Sequence, residues 1–389
     1  MTDRNNINNI KISGFRRLKD IDLRIASRPF MVLIGANGVG KTSFLDAISL
    51  LSASARGELN TIITTFGGLA SVITREKSDS LTLFADIDVP GHKPLCYELS
   101  LTPIGPGYSI SREELSQARD GFAQPFKHID SRHGDIRYYE TASRRLLRPN
   151  WVHNPLETSL YQVPKMYQQP EELRRILGSV TQYHFLDVGP HAKVKLPQKM
   201  TPAYLPGAYG EDLVPFLYYL RESDSDGYEA LEDVLKSAFP NFERLSFPPV
   251  AAGMLTMTWK DRNFSKPFAM HELSEGTLRF LWLVSLLHSP DLATFTMIDE
   301  PEVSLHPELL SILIELMRES AERTQLIVAT HSDSFVRFLE PKEIVVMDID
   351  EDGCATMTWG DDDKLDLEKW LDEYSLDEIW RMGQMGGRS

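Results

Sequence analysis

The chain has 389 residues, 42% of them hydrophobic and 25% charged, with a net charge of −15. This composition excludes a chain disordered throughout, a collagen-like repeat and a disulfide scaffold, and the length suits two or three domains or one large α/β domain with insertions. Two cysteines, Cys96 and Cys354, are too few for a Cys₄ or Cys₃His zinc site; no apolar run reaches the roughly 20 residues of a bilayer span; and Met1–Asn9 lacks a signal-peptide pattern, so the expected compartment is the cytoplasm, with no membrane partner.

In chain order, Ile10–Phe15 and Ile21–Ile25 alternate apolar and polar residues and are expected as strands. Phe30–Ile34 is a continuous apolar run, the pattern of a strand covered on both faces. It leads into Gly35-Ala36-Asn37-Gly38-Val39-Gly40-Lys41-Thr42, after which Phe44, Ile48, Leu50 and Leu51 recur at helical spacing. Leu81–Val89 and Leu95–Leu101 read as a hairpin around Pro90-Gly91. From about Gly105 to Leu205 the chain is rich in Pro, Gly, Arg and aromatics, and only short elements are expected. Helices are expected at Val214–Leu220 and Tyr228–Phe239, and a strand at Met254–Trp259. Strand and helix then alternate: a helix Thr277–Leu287 before the strand Phe295–Ile298, and a helix Pro307–Arg323 before the strand Gln325–Ala329. A hairpin of Ile344–Ile349 and Cys354–Trp359 follows, turned by Glu351-Asp352-Gly353, then a short amphipathic helix and a Gly-rich tail. No internal repeat and no sustained heptad pattern is present.

Gly35 to Thr42 matches G-x-x-x-x-G-K-[ST], the phosphate-binding P-loop. Glycines let backbone N–H groups turn inward around phosphate oxygens, and the following helix presents its positive end. Lys41 would meet the β- and γ-phosphates and the Thr42 hydroxyl would ligate Mg²⁺. Such a site needs an acidic partner at the end of a neighbouring strand. Phe295-Thr296-Met297-Ile298-Asp299-Glu300 supplies it: Asp299 for Mg²⁺ and Glu300 to polarise the attacking water. Glu302 has no required part in the chemistry and is expected at the surface or behind the site.

At this point the residues resemble a family. The P-loop with Asn37 looks like that of the ABC-class ATPases of chromosome maintenance and DNA repair: SMC, RecF and the OLD group. Ile12-Ser13-Gly14-Phe15-Arg16-Arg17-Leu18 resembles their N-terminal strand, Leu273-Ser274-Glu275-Gly276-Thr277 their signature, Ser304-Leu305-His306-Pro307 their D-loop, and Val328-Ala329-Thr330-His331-Ser332 their switch-histidine loop. The resemblance implies an α/β P-loop NTPase fold of ABC type and an Mg²⁺-dependent ATPase. Asn37, Gly38, Val39, Gly40, Lys41, Thr42, Ser43 and Arg16 would hold ATP, Glu300, Lys41 and His331 would act in hydrolysis, and Thr42 and Asp299 would bind Mg²⁺. It further implies that two copies sandwich two ATP molecules, Ser274 and Gly276 of one meeting the γ-phosphate held by the other, and that Ser304 belongs to the D-loop. Two departures stand out. Glu275 replaces the usual Gly of the signature, and no convincing Q-loop glutamine lies between Thr42 and Leu101.

The expected division is an ATPase lobe at 1–104, a compact insertion or arm at 105–250 and the rest of the lobe at 251–389; missing heptads argue against the long coiled coil of SMC proteins. Residues 141–200 carry nine Lys/Arg against four acids, including Arg144, Arg145 and Arg148, whereas residues 341–389 carry fourteen acids against five bases. The basic stretch keeps nucleic acid open as a partner, although the whole-chain charge opposes it. Asp348 and Asp350 read as hairpin flanks, Ser332-His331-Asp333 as neighbours unable to form a triad, Asp361-Asp362-Asp363 as a solvated loop, and His184, His191 and Asp187 as a weak metal-like cluster. The resulting expectation is an ATPase that forms an ATP-dependent homodimer or higher homo-oligomer and works as a switch or scaffold in DNA repair or phage defence, controlling a separate effector encoded nearby. The alternatives are a direct DNA-binding repair ATPase of RecF type and, less favoured, a stand-alone nuclease.

Overall fold

The computed structural model describes residues 5–140, 143–365, 367 and 374–383. At its centre lies a six-stranded sheet in the spatial order Thr181–Tyr183, Phe295–Asp299, Gln325–Thr330, Phe30–Ile34, Ile344–Ile349, Ala355–Trp359. The first five strands are parallel, and the last returns antiparallel through the hairpin expected from sequence. Phe30–Ile34 and Gln325–Thr330 are buried at every position, as parallel strands covered on both faces must be.

Alternate residues of these strands enter two different cores. Met31, Leu33, Met297, Ile327 and Met347 face a core shared with the helix Lys41–Arg56 and an eight-stranded antiparallel sheet. Phe30, Val32, Ile34, Ile298 and Val346 face a second core built on the helices Leu213–Ser223, Ser225–Ala238, Glu275–His288 and Pro307–Ser320. The period of two in a strand therefore sorts one sequence run between two layers. The helix Lys41–Arg56 is buried nearly all round, which explains its weak polar stripe.

The antiparallel sheet begins with Asn6–Phe15 and Leu18–Arg24 and continues through Leu81–Asp88, Leu95–Ile104, Gly107–Gln117, Phe126–Arg132, Tyr138–Glu140 and Arg145–Leu147. Its strand Gly107–Gln117 has eleven residues and the helix Gln168–Ser179 twelve, longer than the short elements expected there. The hairpin pairing Ile104 with Gly107 spans the expected boundary after residue 104. Residues 105–250 are distributed rather than set apart: they extend the antiparallel sheet, add Thr181–Tyr183 to the parallel sheet, and pack Leu213–Ser223 and Ser225–Ala238 into the second core. The expected strand Met254–Trp259 is two strands, Met254–Leu255 and Thr258–Asp261, in different small sheets. A helix at Leu376–Arg381 lies near the expected amphipathic helix, and the Gly-rich tail lies outside the described residues.

Candidate nucleotide site

Where the strand Phe30–Ile34 ends, the neighbouring strand leaves room for no side chain. A Cβ at Gly35 would stand 2.4 Å from the Met347 carbonyl oxygen. Gly38 and Gly40 have φ of 80° and 117°, so the loop turns through conformations that side chains disfavour. Gly40 caps Lys41–Arg56 with no side-chain cap, and the bond from the Phe44 amide to the Gly40 carbonyl is the first to close. The amides ahead of it have no intrahelical partner, the arrangement that attracts anions.

Lys41 is only 8% exposed, and its ammonium donates to the carbonyls of Gly35 (2.7 Å) and Ala36 (3.0 Å). Burial lowers its pKa, while Glu300, Asp299 and Glu302 pull the other way. The ammonium thus lies within electrostatic reach of three carboxylates at and just after one strand end.

Asp299 ends the strand Phe295–Asp299 and accepts a hydrogen bond from Thr42. Burial raises its pKa despite that bond. Glu300 follows in the left-handed region (φ 52°), a conformation that costs a non-glycine residue about 1–3 kcal/mol and gathers at working sites. Its amide donates to the Ala329 carbonyl (2.8 Å), and its carboxylate Oε1 lies 3.0 Å from His331 Nδ1. Two adjacent parallel strands therefore hold the acid and the histidine at their C-terminal ends, where open α/β sheets bind ligands.

Glu302 does more than the sequence suggests. Thr330 Oγ1 donates to its Oε1 (2.5 Å), and the Ser332 amide donates to Thr330 Oγ1 (3.0 Å). Glu302 Oε2 is buried without a hydrogen-bond partner among the described residues. The carboxylate ties the acidic loop to the loop that carries His331.

Ser274 caps the helix Glu275–His288 by accepting from the Thr277 amide (3.1 Å). Gly276 packs directly on the D-loop: a Cβ there would lie 2.6 Å from the Ser304 carbonyl oxygen. Glu275, the departure from the usual signature, is turned aside. Its Oε1 accepts from Ser304 Oγ (2.7 Å) and pairs with Arg279 Nη2 (2.7 Å). Phe185, Arg279, Asp299, Glu300 and Val303 line one narrow cleft between the acidic strand end and this helix. Arg16 sits near the start of the P-loop helix, its guanidinium against the paired rings of Phe15 (5.0 Å) and Phe66 (5.1 Å) and bonded to Asp46 (2.6 Å) and Ser43 (3.4 Å).

Residues 30–337 match the family described as "AAA domain, putative AbiEii toxin, Type IV TA system". The chain belongs to this family. Its fold is that of an SMC-type ATPase head. It resembles the structure of an Smc head bound to the C-terminal winged-helix domain of ScpA, with TM-score 0.55 and 14% identity over 90% of this chain and 97% of that one. It also resembles the Pyrococcus furiosus Smc head domain with an extended coiled coil, bound to the C-terminal domain of ScpA, with TM-score 0.52 and 12% identity over 97% and 98% of the two chains. No curated protein matches the sequence.

This family member brings together Lys41, Thr42, Asp299, Glu300 and His331 as one group, and Ser274, Gly276 and Ser304 as another. Sequence reasoning set His184 aside with His191 and Asp187. The structure places it after the edge strand Thr181–Tyr183, its Nδ1 3.8 Å from Asp299 Oδ2. A three-residue strand leaves no periodic signal, so only its neighbour across the sheet reveals it. Among the described residues no cluster of three or more His, Cys, Asp or Glu forms a metal site. Asp350 accepts from the Cys354 amide and closes the hairpin turn, as expected. Ser332 caps the helix Asp333–Val336, and Asp333 pairs with Arg381. No helix among the described residues is long and apolar enough to cross a membrane.

Proposed function

We propose that this ATPase binds ATP and Mg²⁺, hydrolyses ATP to ADP and phosphate, and uses the reaction to open and close a pair of identical chains. The reading rests chiefly on the Glu300–His331 pair, which lies within electrostatic reach of buried Lys41 beside Asp299. Lys41 and the amides at the start of its helix hold the phosphates, as do the backbone groups of Asn37 to Thr42, with Ser43 and Arg16 beside them. Thr42 and Asp299 offer hard oxygen ligands that fit Mg²⁺; that ion would offset the charge of the β- and γ-oxygens. Glu300 orients a water and accepts its proton as the water oxygen bonds to the γ-phosphorus and the bond to the β-phosphate oxygen breaks. His331 holds Glu300 in place.

Ser274 and Gly276, exposed or nearly so at a helix N-terminus, meet the γ-phosphate held by a second copy. Cleavage removes that contact and the pair separates. The closed pair controls a separate effector encoded nearby, in DNA repair or phage defence. Light scattering of Glu300→Gln with ATP tests the reading: a stable dimer is expected, and one that Ser274→Arg abolishes. A monomer at saturating ATP would overturn it. The alternative, direct DNA binding, draws on the exposed edge strand Arg145–Leu147 and on Arg148. Asp135 already pairs with both Arg148 and Arg137, so that edge is partly neutralised. Binding to duplex DNA that falls steeply with salt would favour it.

A further inference from the structure

We propose that Glu275 is a positioning residue that locks the signature helix to the loop behind Glu300, so that contact with a partner's nucleotide registers at the same chain's own reaction site. The proposal rests on the ATP-dependent pairing proposed above.

One oxygen of Glu275 takes two donors, Ser304 Oγ and Arg279 Nη2, each at 2.7 Å. Arg279 stands one turn along the same helix, is nearly buried, and also reaches the Val303 carbonyl (3.5 Å). Its guanidinium lies 5.5 Å from the ring of Phe185, so the lock extends to the segment that carries His184. Arg279 cancels the charge of Glu275, which removes the repulsion a carboxylate would otherwise bring to a phosphate site.

The backbone reinforces the side chains. Gly276 lies so close to the Ser304 carbonyl that no side chain fits between them. Ser304 is held at φ 63°, in the left-handed region, four residues after Glu300 at φ 52°. The Glu300 amide and carboxylate are fixed in turn to Ala329 and His331. A displacement of Ser274 is therefore carried through Glu275 and Ser304 into the short loop that ends at Glu300. A glycine at 275 would have no atom to offer either Ser304 or Arg279.

The test uses the full chain, with a non-hydrolysable ATP analogue and Mg²⁺ for light scattering and calorimetry, and ATP for turnover. Glu275→Ala and Ser304→Ala should bind the analogue with wild-type affinity and still dimerise at high protein concentration. Turnover within the saturated dimer should fall about tenfold, the loss expected for about one hydrogen bond. The Hill coefficient for ATP, expected above 1 in the wild type, should fall to 1 in these variants. Glu275→Gln keeps an acceptor and should restore most of the cooperativity. The double Glu275→Ala/Ser304→Ala should be no worse than the more affected single variant. Wild-type turnover and cooperativity in the dimers of Glu275→Ala or Ser304→Ala would overturn the lock. A wild-type chain that never dimerises with the analogue would overturn the pairing beneath it. Should Glu275→Ala fail to fold, Ser304→Ala carries the same test.

Discussion

His331 Nδ1 and Glu300 Oε1 lie 3.0 Å apart at the ends of two neighbouring parallel strands. The strand register pairs Asp299 with Ala329, so Glu300, one residue on, and His331, two residues on, leave adjoining strand ends and meet there. Glu300→Gln keeps the size of the side chain and removes its basicity. Its kcat is expected to fall about 10²–10⁴-fold with ATP affinity nearly unchanged, as read by phosphate release and calorimetry. Wild-type turnover would remove Glu300 from the role of base.

Lys41 is buried among backbone carbonyls and within electrostatic reach of three carboxylates, and in the proposed function its charge serves an anionic ligand. Lys41→Ala should weaken ATP-analogue binding by at least about tenfold, the scale of one charge-assisted bond. Calorimetry decides it, and unchanged affinity would sink the P-loop assignment.

Gly276→Ala places a methyl group 2.6 Å from the Ser304 carbonyl oxygen. Helix and D-loop must then separate, at an expected cost of about 1–3 kcal/mol. Urea unfolding should show the loss, and a variant as stable as the wild type would show that the D-loop yields freely.

How legible the site was in the sequence depended on where each contact lies. Lys41, Thr42, Asp299 and Glu300 were readable because a strand end and a glycine turn fix their neighbours locally. Glu302 and His184 were not, because Thr330 and Asp299, their partners, come from other strands. The strand Gly107–Gln117 was hidden for a different reason. Glu113 occupies an interior position, 0% exposed, where its carboxylate receives the amides of Ser159 and Leu160 and the hydroxyl of Tyr97. On the outer face Arg112 pairs with Glu98 and Glu114, and Lys127 with Glu114. Ion pairs and a buried acid replace the apolar alternation that announces a strand.

His128 is buried, with Nε2 lacking a hydrogen-bond partner among the described residues, and burial lowers its pKa to about 4. The unfolded chain binds the proton near pH 6.5, so between about 6.5 and 4 it holds more protons than the folded one. Stability should therefore be lost as the pH is lowered through that window, by up to about 3 kcal/mol from this residue. Urea midpoints at pH 7 and 5 should differ more for the wild type than for His128→Phe, which cannot titrate. Equal pH dependence in both would refute the assignment.

The central claim is that two chains clamp each ATP between them. The structure of Glu300→Gln crystallised with ATP and Mg²⁺ tests it most directly. The account predicts two chains with each triphosphate lying between Lys41 of one and Ser274 of the other. A nucleotide bound at Lys41 with no second chain's Ser274 beside it, or a Lys41 loop without nucleotide, would contradict it.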